Sequence, residues 1–276
     1  MWERHLCLSL NSDFGISEEE QIKLLKKVGF DGFFSDWSEK KDIAALRRIA
    51  DENGMIYQSI HAPFQHIDRM WQNDGSAETV IKELYHCIDD CSENDIPIMV
   101  CHAFIGFHDH SPSDIGIENF RKVINYADKK GVNIAFENTE GEEYLAALMN
   151  EFSKCENVGF CWDTGHEMCY NHSQNMMERY GNKILCTHLN DNLGISDYLG
   201  RTIWTDDLHL LPFDGIANWQ WIVDQLKKYD FTDMLTFELK RASKPDRLEN
   251  KPYEDMPIEQ YITEAYKRAC KVAALF

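Results

Sequence analysis

The chain has 276 residues, 43% hydrophobic and 27% charged, a balance that excludes extensive disorder and allows one large core. Its 47 acidic against 28 basic side chains give a net charge of −19. That disfavours nucleic acid as a partner, because affinity for phosphate backbones comes chiefly from Lys and Arg.

Eight strands are expected, at His5–Leu10, Gly32–Asp36, Ile56–Ala62, Pro97–Ala103, Asn133–Asn138, Val158–Asp163, Ile184–Asn190 and Met234–Leu239. Most are continuous apolar runs, as parallel strands buried on both faces require. Helical patterns lie between them. Ser17-Glu18-Glu19-Glu20 reads as a capping box ahead of Ile22, Leu24, Leu25 and Val28, with Gly29 as the stop. Ser76–Glu93, Gly116–Lys130 and Glu142–Lys154 follow the same logic, with stops at Glu52-Asn53-Gly54 and Lys129-Lys130-Gly131, and Ile258–Leu275 closes the chain. Neither G-x-G-x-x-G nor G-x-x-x-x-G-K-[ST] occurs, which removes the usual mark of an open doubly wound sheet. The expected fold is a (β/α)8 TIM barrel forming a single domain over residues 1–276.

No apolar run approaches the ~20 residues that span a bilayer. Met1-Trp2-Glu3-Arg4-His5 lacks a basic stretch leading into an apolar one, so neither a membrane span nor a signal peptide is expected. The nine cysteines (Cys7, Cys87, Cys91, Cys101, Cys155, Cys161, Cys169, Cys186, Cys270) are scattered, odd in number and form no C-x-x-C. That fits a reduced, cytoplasmic protein, with Cys87 and Cys91 sharing a helix face rather than a metal.

In such a barrel the C-terminal ends of the strands converge on one mouth. Those ends carry His61, His102, Glu137, Asp163 with His166, His188, then Asp207 and His209, and finally Glu238. Glu137 and Glu238 each follow a phenylalanine within an apolar run, where an unpaired carboxylate is costly. A divalent cation satisfies several such groups at once, and mixed His/Asp/Glu sets suit Zn, Mn or Fe better than Ca or Mg. Each position also has a plain structural reading: Asp163 as a helix N-cap, Asn190 or Asp191 as turn formers. His5, His66, His86, His108, His110 and His172 are given no role. Trp37, Phe64, Phe104, Trp162, Trp204 and Phe213 are candidates for the pocket wall or the core, and Arg201, Lys240 and Arg241 for an anion contact or a solvated surface.

The series His61-Ala62-Pro63, Glu137-Asn138, Asp163-Thr164-Gly165-His166, His188-Leu189-Asn190-Asp191, Asp207-x-His209 and Glu238 resembles the xylose isomerase-like barrel superfamily. That group includes sugar-phosphate isomerases/epimerases, ketose 3-epimerases and endonuclease IV nucleases. The epimerase branch implies one divalent metal (Mn, Zn, Fe or Co) on Glu137, Asp163, His188 and Glu238, with His166 facing the substrate. The nuclease branch implies three zincs on those residues together with His61, His102, His166, Asp207 and His209. Two departures disfavour the nuclease: Gly165 stands where its D-T-C-H motif has cysteine, and Leu210-Leu211-Pro212-Phe213-Asp214-Gly215 replaces a glycine-rich stretch.

The expected function is therefore a metal-dependent isomerase or epimerase of a sugar, keto-sugar or related polyol, working through an enediolate. Glu137 and Glu238 serve as base and acid and His166 as the oxyanion donor. The alternatives are a zinc phosphodiesterase acting on abasic DNA and a metabolite-binding barrel without turnover. A small sugar-like substrate is the expected partner, and a homo-oligomer is left open.

Overall fold

The computed structural model describes residues 4–108 and 111–276; Met1, Trp2 and Glu3 of the N-terminal reading, and His110, lie outside the described residues. All eight expected strands form, with ends trimmed by at most two residues: β1 (Leu6–Ser9), β2 (Gly32–Asp36), β3 (Ile56–His61), β4 (Ile98–His102), β5 (Asn133–Glu137), β6 (Val158–Asp163), β7 (Ile184–His188) and β8 (Leu235–Phe237). They run parallel in the order β7-β6-β5-β4-β3-β2-β1-β8. Two backbone bonds join the remaining edges, Leu189 N–H to Thr236 O at 2.8 Å and Glu238 N–H to Leu189 O at 3.2 Å. The second of these fixes Glu238 just beyond β8.

The longer helices are α1 (Glu18–Val28), α2 (Ile43–Asn53), α3 (Ala77–Glu93), α4 (Asp114–Lys130) and α5 (Glu142–Glu151). They are followed by α6 (Thr164–Cys169), α7 (Met176–Tyr180), α8 (Trp219–Lys228), α9 (Lys251–Glu254) and α10 (Ile258–Ala273). The capping box is real: Ser17 Oγ accepts from Glu20 N–H, and Glu20 Oε2 accepts from Ser17 N–H at 2.9 Å. Gly54 and Gly131 close α2 and α4 in the left-handed conformation. α4 begins two residues earlier than expected because Ser113 Oγ caps the amide of Gly116. α5 stops at Glu151, where the buried Phe152 turns the chain back toward the core. Cys87 and Cys91 are both buried on α3, and all nine cysteines are free thiols. No helix among the described residues is long and apolar enough to cross a membrane.

Two apolar regions hold the barrel. The larger lies between sheet and helices, with Phe33, Tyr57, Phe136, Phe160 and Phe237 facing outward from the strands. The smaller comprises Ile98, Val100, Ala135, Cys161 and Cys186. Because side chains alternate along a strand, Val100, Ala135, Cys161 and Cys186 sit two residues below His102, Glu137, Asp163 and His188. An apolar floor therefore underlies every one of those polar groups.

The end of β4 is braced from outside: Trp71 Nε1–H donates to Ala103 O at 2.8 Å, and its indole lies against Gly116 of α4. A Cβ at Gly116 would stand 2.0 Å from Trp71 Cε3. Alanine is worth up to about 1 kcal/mol over glycine in a helix, whereas overpacking costs about 1–3 kcal/mol, so the clash wins. Gly116→Ala is expected to lower stability by about 1–2 kcal/mol, read as a shifted midpoint in urea unfolding; a raised midpoint would refute the packing argument.

Candidate metal centre and active site

Glu137, the last residue of β5, is wholly buried and faces histidines on both sides. Its Oε1 lies 2.6 Å from His188 Nδ1 and 3.9 Å from His166 Nδ1. Its Oε2 lies 3.0 Å from His102 Nε2 and 3.2 Å from His61 Nε2. Glu238, arriving from β8, places Oε2 3.1 Å from the same His188 Nδ1. Phe34 of β2 stacks on the His188 ring at 4.5 Å and holds its plane. Further round the mouth, Asp207 Oδ1 lies 2.9 Å from His209 Nε2 and 3.3 Å from His166 Nε2, while its Oδ2 accepts from Lys244 Nζ at 3.1 Å.

The structure thus brings all nine sequence-predicted residues into three groups of converging donors: His61, His102 and Glu137; Glu137, Asp163, His188 and Glu238; and His166, Asp207 and His209. Within each group the donor atoms lie within 4.8 Å of one another. Cys161 falls into a fourth group with Glu137 and His188, but burial keeps its thiol protonated, which makes it a poor ligand.

The hydrogen-bond network shows that these donors fit a cation. His61 Nδ1 lies 2.9 Å from Ala62 O, and His209 Nδ1 lies 3.2 Å from Glu238 O. A carbonyl only accepts, so each Nδ1 carries a hydrogen and Nε2 is the nitrogen turned toward a carboxylate. Lone pair facing lone pair at about 3 Å is repulsive unless a proton or a metal ion lies between them, and metal-ligating histidines are commonly anchored through the other nitrogen in this way. Asp207 Oδ1 is correspondingly buried without a hydrogen bond. No lysine or arginine among the described residues pairs with Glu137, Asp163 or Glu238, whose ion-pair partners there are histidines.

Protonation follows the same logic. Burial works to raise the carboxyl of Glu137, but His188, His102 and His61 outweigh it and hold it well below the usual range. Burial is likewise overcome at Glu238 by His209 and His188, and at Asp207 by His209 and His166. Asp163 moves the other way, to about 6, because burial together with Glu137 and Glu238 outweighs His166 and His209.

Asp163 combines both of its sequence readings. It caps α6, accepting from His166 N–H at 2.7 Å, and it also belongs to the four-residue donor group. Asn190 is no mere turn former: its Nδ2 spans the Asp163 carboxylate, 3.1 Å from Oδ1 and 3.0 Å from Oδ2. Asn138 and Asp163 exchange further bonds, Nδ2 to the Asp163 carbonyl and Asp163 N–H to Oδ1, each at 2.8 Å. Asp191 is structural, accepting from Asn192, Phe213 and Ala217 amides and from Trp219 Nε1. At Gly165 an added Cβ would meet Asn190 Oδ1 at 1.9 Å, so glycine there is what lets Asn190 reach Asp163.

Above the donors opens a cavity of about 420 Å³, lined by Phe64 and Trp204 among the expected aromatics. Trp37 and Phe104 are instead buried in the helix-facing core, as is Trp162, whose indole donates to Glu167. Phe213 is partly exposed on the Asp191 turn. Arg241 is spent on the carbonyls of Tyr253 and Glu254, and Arg201 on Asp197, whereas Lys240 lines the cavity. Sequence reasoning missed Phe34, Glu140, Tyr170 and Lys244 in the wall. Lys244 lies in a stretch with neither strand nor helix pattern, so no periodic signal marked it.

The profile of the xylose isomerase-like TIM barrel matches residues 22–265. The chain belongs to that family. Among curated proteins it is 26% identical to "Uncharacterized protein y4fM" of Sinorhizobium fredii (strain NBRC 101917 / NGR234), over 79% of each chain. Among solved structures the barrel is similar to a D-tagatose 3-epimerase-like protein (TM-score 0.72, 18% identity, 98% of both chains). It is also similar to the IOLI protein with a bound zinc atom (0.75, 17%, 97% of this chain and 98% of that one). L-ribulose 3-epimerase gives 0.73 at 14% identity, over 98% of this chain and 95% of its own. At these identities the structural likeness speaks to fold.

Partners that orient a metal-binding carboxylate typically matter 10–100-fold for affinity. Asn190→Ala is accordingly expected to weaken divalent-metal binding about tenfold or more, measured by competition with a fluorescent chelator. Unchanged affinity would mean that Asp163 does not depend on Asn190.

Proposed function

We propose that this chain is a metal-dependent isomerase or epimerase of a sugar, keto-sugar or related polyol. The observation that carries the reading is the pair Glu137 and Glu238, which approach one point from β5 and from the end of β8, 2.6 and 3.1 Å from His188 Nδ1. Such a pair flanks a bound substrate with a carboxylate on each side. Glu137, Asp163, His188 and Glu238 would hold a divalent ion, Mn, Zn, Fe or Co. When bound, that ion supplies Lewis-acid polarisation of the substrate's carbonyl and neighbouring hydroxyl.

The protein's own groups do the rest. One of the two glutamates, both ionised in the resting site, removes the proton α to the carbonyl, giving the enediolate, and the other relays a proton from solvent to the opposite face. His166, buried beside Asp207, donates to the developing oxyanion. The apolar floor beneath lowers the dielectric around these groups. The D-tagatose 3-epimerase-like protein and L-ribulose 3-epimerase share this fold, which supports the reading.

Glu137→Gln and Glu238→Gln are each expected to abolish solvent-deuterium exchange into a ketose substrate while the circular dichroism spectrum stays unchanged; metal content is measured on the same samples. An active, metal-loaded Glu238→Gln enzyme would remove the two-carboxylate assignment.

One observation favours a second reading, a polynuclear zinc phosphodiesterase acting on abasic DNA. His61 and His209, themselves outside the four-residue group, both present anchored rings to carboxylates, His61 to Glu137 and His209 to Asp207. Elemental analysis of tag-free protein separates the two: about one ion per chain supports the isomerase, whereas two or three zincs together with cleavage of an abasic duplex would put the phosphodiesterase in its place. The charge of −19 weighs against that outcome.

A further inference from the structure

The basic side chains of the mouth are unequally committed. Lys41 pairs with Glu18 and Asp36, Lys244 with Asp207, and Arg247 with Asp206 and Glu249. Lys240 lines the same cavity, is half-buried, and makes no ion pair or side-chain hydrogen bond among the described residues. In a chain with 47 carboxylates, a half-buried lysine in the wall of a binding cavity without a paired carboxylate calls for an occupant.

Its placement is set by the fold. Lys240 lies two residues beyond Glu238, and both line the cavity while Leu239 between them is buried in the outer core. Two residues of extended chain rise roughly 7 Å, so Lys240 stands about that far above the level of Glu238. The segment is fixed by backbone bonds: Lys240 N–H to His209 O at 3.0 Å, Leu239 N–H to Ser9 Oγ at 3.4 Å, and Asn11 Nδ2 to Leu239 O at 3.3 Å. These bonds bring the loop after β1 alongside, and with it Ser12, an exposed residue that lines the cavity and makes no side-chain hydrogen bond among the described residues. An ammonium and a hydroxyl on adjoining loops make a small oxyanion site, in the region where barrels of this architecture frequently bind phosphate groups.

We propose that the substrate of this site is anionic: a sugar derivative whose carboxylate or phosphate, a few bonds from the reacting carbon, is held by Lys240 and Ser12. This rests on the isomerase reading above and narrows its substrate class. Lys244 is engaged by Asp207 and set over the Trp204 ring at 5.5 Å, so it bounds the cavity and leaves the anion to Lys240.

The test compares metal-loaded wild type, Lys240→Met and Lys240→Arg in two measurements. The first is solvent-deuterium exchange with D-fructose, D-fructuronate and D-fructose 6-phosphate. The expected result is a kcat/KM at least tenfold higher for one of the two anionic ketoses, which also tells carboxylate from phosphate. Lys240→Met should erase that preference mainly through KM, and Lys240→Arg should restore part of it.

The second is calorimetric titration with inorganic phosphate and with malonate, which needs no turnover. Lys240→Met should weaken binding of the preferred anion at least tenfold at unchanged metal content. Exchange with D-fructose as efficient as with the anionic ketoses, and indifferent to Lys240→Met, would overturn the anion site and leave the isomerase standing. Lys240-dependent anion binding without exchange in any ketose would overturn the isomerase and leave the anion site. Anion binding that ignores Lys240, with no exchange anywhere, would overturn both.

Discussion

A carboxylate removed entirely from water has to be compensated nearby, and Glu137 is such a carboxylate at the centre of the barrel mouth. Each of its oxygens faces its own pair of histidines, His188 and His166 on one side and His61 and His102 on the other. Those four rings come from β3, β4, α6 and β7, so compensating one side chain fixes the relative positions of much of the barrel rim. Wherever a ring lone pair faces that carboxylate, as His61 Nε2 can, a proton or a metal ion has to lie between the two.

The surroundings serve that requirement. The floor formed by Val100, Ala135, Cys161 and Cys186 lowers the local dielectric and strengthens every charge interaction above it. Asn190 and Asn138 immobilise Asp163 through both its carboxylate and its backbone. Asp191, one residue along, faces away and gathers four donors, one from Asn192 and three from Phe213, Ala217 and Trp219. Adjacent residues on one strand end thus divide into one that serves the mouth and one that serves the wall, as the alternation of an extended chain dictates.

Much of this was legible in the sequence, for identifiable reasons. Buried parallel strands must be apolar runs, so all eight could be found, and a barrel gathers their C-terminal residues whatever lies between them. Position put Glu137, Asp163, His188 and Glu238 at the mouth together with His61, His102, His166, Asp207 and His209, whereas setting those four apart came from the family resemblance. What could not be read were relations between loops. Lys244 reaches Asp207 across 37 positions of chain, and Phe34 stacks on His188 from the opposite end of the sequence. Asp163 and Asn190 were given structural readings of their own, yet they form one unit through the amide of Asn190. Strand ends advertise which groups meet; they say little about which neighbour hands a hydrogen to which.

The contact between Gly165 and Asn190 also limits how this centre can change. The volume a side chain would need at Gly165 is already filled by the amide that spans Asp163. A single substitution that installs a larger residue there would displace Asn190 and disturb Asp163 before it could offer anything new. A single substitution at Asn190 would open a void and free the same carboxylate. Each step is harmful alone and workable only with the other, so drift from this centre toward one carrying cysteine at that position has to cross a two-residue epistatic barrier.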